Sequence, residues 1–238
     1  MGKAILKGTV AVDIINELKC IDEVHGSATD LDLRQHQSHW WDNLPDYTMH
    51  LLLREATEHA LTVEALKAQL PETADGLLRL MPQVSDLVHR VETWQPATST
   101  VRPEYVHSVT HFNAVWRAGM LCFIYSEIYS LGPRDVRMQG CVEAVLQPLG
   151  RLSWLQACLF PFFMIAVHAG TEEARGVFLA KLADMHGLLG FQGPLSVAGV
   201  LKCIWARSDS DAAGGRNGGR VEWRSVVRDM GMELNILL

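Results

Sequence analysis

Histidine is the residue type in this chain best able to do chemistry, and there are ten. An imidazole titrates near neutral pH and ligates transition metals, so the spacing of these residues is read first. His36 and His39 stand three apart in the polar stretch RQHQSHWWDN, with Asp42 close behind. His107 and His111 stand four apart, which places both on one face of a helix. Zinc asks for three or four ligands held by a second shell of hydrogen bonds. Neither pair has the local complement of an H-E-x-x-H motif or paired cysteines. Surface or capping histidines are therefore the reading, with no metal site and no cofactor expected. For acid/base work the histidines to test are His107, His111 and His168.

Other reactive arrangements are weaker. No G-x-S-x-G elbow presents a nucleophilic serine. The glycine cluster Gly214, Gly215, Gly218 and Gly219 sits in a low-complexity stretch rather than between a strand and a helix, so it is no phosphate cradle. The pairs Asp30 and Asp32, or Asp42 and Asp46, act as acid and base only where a fold buries them. Aromatic residues carry more information. Trp116, Phe123, Tyr125 and Tyr129 fall on one long apolar segment, and Trp154, Phe160, Phe162 and Phe163 on another. Two such helices side by side either line an apolar pocket or fill a core. The candidates for pocket lining are Trp116, Tyr125, Trp154, Phe160 and Phe163. Met120, Met138, Met164 and Met185 suit either case, since methionine fills irregular spaces.

The elements that position these residues read as helices. Ile14, Ile15, Leu18, Ile21 and Val24 make one stripe at helical spacing over Val12 to Val24. Asp46 after Pro45 is a good cap for a helix reaching Leu70, and Leu77 to Trp94 follows, with Pro82 predicting a break or a late start. Pro103 suits the first position of a helix running to Leu131. Arg134 to Leu146 is amphipathic, and Ser153 is placed to cap a core helix kinked at Pro161. Thr171 with Glu172 and Glu173 opens a helix that closes at Gly190, and Pro194 opens one reaching about Arg207. Ser208 to Arg220, SDSDAAGGRNGGR, reads as a flexible loop, and Val221 to Met230 as a last short helix. Strand signals are scarce and no internal repeat is evident. The fold class is all-α, a single domain over 1–238 of about eight or nine packed helices.

Composition agrees and narrows the functions. At 48% hydrophobic and 20% charged, the chain has ample material for a core and is not disordered as a whole. Its 21 basic and 27 acidic residues give a net charge of −6, and no basic run offers a grip on a phosphate backbone. Direct binding of nucleic acid by this chain is not expected. The five cysteines are odd in number, lack a C-x-x-C pair and mostly sit among apolar residues. They read as reduced, buried thiols of an intracellular protein. Leu152 to Val167 is shorter than the roughly 20 residues of a membrane span and carries Gln156 and Pro161, so it reads as core, with no membrane partner. The first residues lack the architecture of a signal peptide.

The C-terminal half adds a resemblance. The segment Trp154 to Phe163 with Phe160-Pro161, the acidic helix start at Glu172-Glu173, and Gly190-Phe191 come in order. Trp205, a variable acidic loop, Trp223 and Met230 before an apolar end complete the series. In this order they resemble the fungal-specific transcription factor domain, the large helical domain that follows a zinc binuclear cluster in fungal regulators. The resemblance is clear over about 103–238 and loose over the first hundred residues. The family's six-cysteine cluster and its basic surroundings are absent here, and Met1 falls inside the family pattern. A fragment, a degenerate relative and a standalone protein all fit that departure.

The resemblance implies a regulatory or effector domain that binds a small apolar molecule or a protein partner, nuclear or cytoplasmic, with DNA contact left to another module. The alternative is an enzyme built on this fold, using an apolar pocket for cyclisation or isomerisation of a secondary metabolite. A partner that pairs with a full-length regulator, or with a second copy of itself as a homo-dimer, is the third reading.

Overall fold

Asp46 starts the first described helix for a chemical reason. Its carboxylate accepts from the Met49 backbone N–H at 3.0 Å, which satisfies one of the donors a helix start leaves open. Helix α1 runs Tyr47–Ala68 and α2 runs Thr73–Thr93. The computed structural model describes residues 45–68, 73–96, 103–152, 157–213 and 222–232. The helix expected at Val12 to Val24, His36, His39, Asp42, the Asp30 and Asp32 pair, Ser153 and Trp154 lie outside the described residues.

The contacts group into two compact units, one up to Val101 and one from Arg102 onward. In the first, α1 and α2 pack on each other. Met49, Leu52, Leu53 and Ala56 of α1 are buried, as are Leu80, Val84, Leu87 and Val91 of α2. Their three- and four-residue spacing is what an amphipathic pair requires. Trp94 donates from Nε1 to the same Asp46 oxygen at 3.1 Å, tying the end of α2 to the start of α1. Contrary to the expectation of a break or a late start, α2 begins at Thr73 and runs through Pro82. Pro82 and Leu78, whose carbonyl would have received the missing N–H, both lie on the exposed face. There the lost bond costs least.

The second unit opens with a 3-10 turn, Pro103–Tyr105, leading into α3, Val106–Glu127. Then come α4 (Val136–Arg151), α5 (Leu159–Ala166), α6 (Glu172–Leu189), α7 (Gly193–Ala213) and α8 (Trp223–Asp229). The described residues form eight α-helices, with no strand among them, so the fold is all-α. Helix α3 packs against α4 and α5, α6 against α7 and α4, and α8 against α7.

Several boundaries differ from the sequence reading. Helix α3 stops before Leu131, because Ser130 takes a left-handed φ of 57° and Leu131 donates back to the Tyr125 carbonyl at 2.9 Å. Helix α4 continues past Leu146 through Pro148, since Val145 and Leu149 stay buried in one register. Helix α5 begins at Leu159, which puts Pro161 in the first turn. A first-turn proline loses no intrahelical bond, so no kink arises. Helix α7 reaches Ala213 rather than Arg207. Asp209 is gripped by Arg175 of α6, and Ser210 donates back to the Ala206 carbonyl. Thr171 does cap α6, accepting from Ala174 N at 3.2 Å, and Gly190 ends it with φ 73°.

One glycine sets the spacing of the core. A Cβ at Gly119 would overlap the Cβ and Cα of Pro161, so α3 and α5 cross closer than any side chain there permits.

Candidate functional site

Helix α5, LFPFFMIA, is buried at all eight positions, so the groups at its ends must find partners inside the protein. At its start, Ala157 takes a left-handed φ of 53°, and its carbonyl accepts from Trp116 Nε1 at 3.0 Å. At its end three neighbouring helices serve three carbonyls. Trp205 of α7 donates to Ala166 O at 2.9 Å, Gln139 of α4 to His168 O at 3.0 Å, and Arg175 of α6 to Ala169 O at 3.1 Å. Arg175 also forks onto both oxygens of Asp209, reaches Glu172, and lies 5.4 Å from the Trp205 ring centroid. The bonds from Arg175 hold the Asp209 carboxyl below the usual carboxylate range.

Three carbonyls of this turn are thus served, and one side chain within it is not. His168 is fully buried, and neither ring nitrogen has a hydrogen-bond partner. Burial pushes its pKa down to about 3, so the ring is neutral at physiological pH. A neutral imidazole carries one N–H donor and one acceptor, and both are free here.

The other acid/base candidates are placed elsewhere. His107 and His111 share the N-terminal part of α3, stacked with ring centroids 6.5 Å apart on an exposed to half-exposed face. His168 hydrogen-bonds neither of them. Among the described residues no group of three or more His, Cys, Asp or Glu side chains is arranged to hold a metal ion. No helix among them is long and apolar enough to cross a membrane.

Of the pocket candidates, the four among the described residues, Trp116, Tyr125, Phe160 and Phe163, are buried but fall into separate clusters. Trp116 meets Phe160 at 5.8 Å and Phe112 at 6.4 Å, and Phe160 also meets Phe123 edge-on at 5.9 Å. Phe163 takes Trp223 edge-on at 5.1 Å. Tyr125 lies against Tyr129, with the Arg137 guanidinium 5.6 Å from its ring centroid.

Sequence reasoning passed over two buried charges, Arg175 described above and Glu127. Glu127, the last residue of α3, is 3% exposed. Its carboxylate accepts from Trp223 Nε1 at 3.1 Å, from Ser126 Oγ at 3.2 Å and from Arg224. These bonds anchor α8 to α3, and the Arg224 guanidinium also lies 4.7 Å from the Trp223 ring centroid. The signal was present: Glu127 is the lone charge in the apolar run MLCFIYSEI, where a carboxylate needs a buried partner.

No curated protein and no solved structure matches the chain. A family model does, the fungal specific transcription factor domain, over residues 32–237. The match takes in every described residue and reaches well before the stretch that carries the sequence resemblance. With an all-α fold and that match, the chain belongs to the fungal-specific transcription factor domain family.

Proposed function

We propose that the chain is the effector part of a fungal transcription regulator. Its second unit receives a small, largely apolar molecule bearing one hydrogen-bonding group, which His168 meets. The observation that carries this reading is the sealed imidazole with both nitrogens unpaired, beside the wholly buried α5. Leaving a buried polar group unpaired costs about 1–3 kcal/mol, a cost a ligand would relieve. The acidic chain leaves DNA contact to another module, and the protein works in the nucleus or cytoplasm with its thiols reduced.

The enzyme reading is less well supported. An efficient general acid or base has a pKa near the working pH, whereas His168 is moved away from it, to about 3. Such a ring suits hydrogen bonding better than proton transfer. A protein-partner reading has its own support in Leu188 and Leu195, which are 70% and 43% exposed on either side of the Gly190 turn. Light scattering of the chain at rising concentration tests self-association through such residues.

The deciding experiment deletes the gene in its native host and reads neighbouring transcripts and metabolites together. A fall in transcripts, restored by the wild-type chain and not responsive to metabolite supply with His168→Leu, supports the effector reading. Unchanged transcripts with an accumulating intermediate sink it and leave the enzyme.

A further inference from the structure

Two imidazoles stand at the start of α3, where the helix itself is weakly held. Tyr105, at the capping position, gives the first turn no side-chain hydrogen bond, and that turn holds no acidic residue. Just beyond, His107 is exposed and His111 half-exposed, whereas most of the later positions of α3 are buried. Their ring centroids are 6.5 Å apart, with the planes inclined by 29°. No other two described histidines lie within one helical turn of each other. His168 is sealed from any solvated ion, and His186 has its Nδ1 hydrogen-bonded with the Phe191 carbonyl oxygen.

We propose that His107 and His111 form a two-imidazole chelate for a divalent transition-metal cation of the copper, nickel and zinc class, with water filling its other positions. Imidazole nitrogen is a ligand these ions favour. An ion lies about 2.0–2.1 Å from a histidine nitrogen. Two rings on one solvent-facing side of a helix need only side-chain rotation to bring one nitrogen each to the same ion. The spacing turns two weak ligands into one site, because the second imidazole is already held beside the first when the first binds. A closed zinc site takes three or four protein ligands, a standard that the local sequence does not meet; an open chelate needs two. Hard, oxygen-seeking ions such as magnesium and calcium find no carboxylate in this pair and gain little from it. The ion spans both rings only while residues 107 to 111 are helical, so binding stabilises the weakly capped start of α3. That start follows closely on Arg102, where the second unit begins.

The test strips the full-length chain of metal with a chelator and titrates it with nickel(II) chloride, which leaves thiols unoxidised, in a calorimeter. The wild type should bind nickel at this pair and show no such binding of magnesium. His107→Ala and His111→Ala should each weaken it by about a hundredfold or more, with the double variant no worse than either single one. His36→Ala together with His39→Ala should leave it in place. Undiminished binding in either single variant overturns the proposal, and so does a stepwise loss that marks two independent ligands. A second measurement needs no substitution. Nickel should shield His107 and His111 together from carbethoxylation by diethyl pyrocarbonate, read by mass spectrometry of the wild-type peptides. Equal modification of the two residues with and without nickel overturns the chelate.

Discussion

Glu127 at the end of α3 and His168 in the turn after α5 are both sealed from water, yet the surrounding helices treat them differently. Glu127 is met by an indole, a hydroxyl and a guanidinium. His168 has its backbone carbonyl served by Gln139 and its ring served by nothing. A buried polar group that holds a fold together shows its partners, because leaving it unpaired is costly. One left unpaired in a turn with three served carbonyls is a poor structural device, which is why His168 rather than Glu127 is the candidate for recognition.

The largest expected effect comes from breaking the satisfied side of that comparison. Arg224→Met should leave the Glu127 carboxylate, whose side chain is 2% exposed, without its counter-charge. One-sided removal from a buried pair costs about 3–5 kcal/mol. Urea denaturation of the full chain should show the loss, and Glu127→Gln combined with Arg224→Met should recover part of it. Equal stability of the single and double variants would mean that the charge, as distinct from the packing of Arg224 on Trp223, contributes little.

Next in size is the close crossing that both regions depend on. Gly119→Ala places a methyl into Pro161, where Pro161 Cα is backbone and cannot swing aside. Overpacking of this kind costs about 1–3 kcal/mol. The same substitution at Gly140 or Gly176, exposed helical positions where an added Cβ meets nothing within 4 Å, should be neutral or stabilising. A Gly119→Ala chain as stable as those controls would show that α3 and α5 have room to part.

His168 gives the third prediction, and its sign is opposite. His168→Leu removes an unpaired polar group from a core, so stability at pH 7 should hold or rise by up to about 1 kcal/mol while effector response is lost. The pH dependence sharpens this. Unfolded, the ring takes a proton below about 6.5; folded, it waits until about 3. The unfolded chain therefore binds more protons across that window, and stability falls as pH drops through it, by at most about 1.4 kcal/mol per unit. The wild type should lose stability between pH 6 and 4 more steeply than His168→Leu. Parallel curves would show that the ring is solvated or partnered in solution.

How much of this was legible beforehand follows from the range of the interactions. Asp46, Thr171 and Gly190 were readable because a cap acts within one helical turn, and the sequence holds both halves of the contact. Pro161 was misread as a kink since the start of α5 depends on Ala157 turning left-handed, a conformation held by Trp116 from another helix. The end of α7 was misread for a similar reason. Asp209 looks like loop composition until Arg175, 34 residues earlier, is brought against it. The aromatic set was read as lining a pocket or filling a core, and the division of its described members among separate clusters depends on helix crossings that periodicity does not encode. His168 could be listed as a histidine near an apolar run; that its ring would find no partner depends on four elements meeting there.

The smallest expected effect lies in the first unit and measures what exposure does to a pair of the same chemistry. Arg90 forks onto Glu55 and also bonds Asp86, a richer geometry on paper than Arg224 has on Glu127. The difference is solvent: the Arg90 and Glu55 side chains are 41% and 34% exposed. Water screens such a pair and solvates whichever partner is left behind, so exposed pairs contribute about 0.2–1 kcal/mol. Arg90→Ala should therefore cost under about 1 kcal/mol, and raising salt should shrink the cost further. Measured beside Arg224→Met under the same conditions, it isolates burial as the variable. A loss from Arg90→Ala as large as that from Arg224→Met would mean that fork geometry, rather than removal from water, sets the strength of the pairs in this fold.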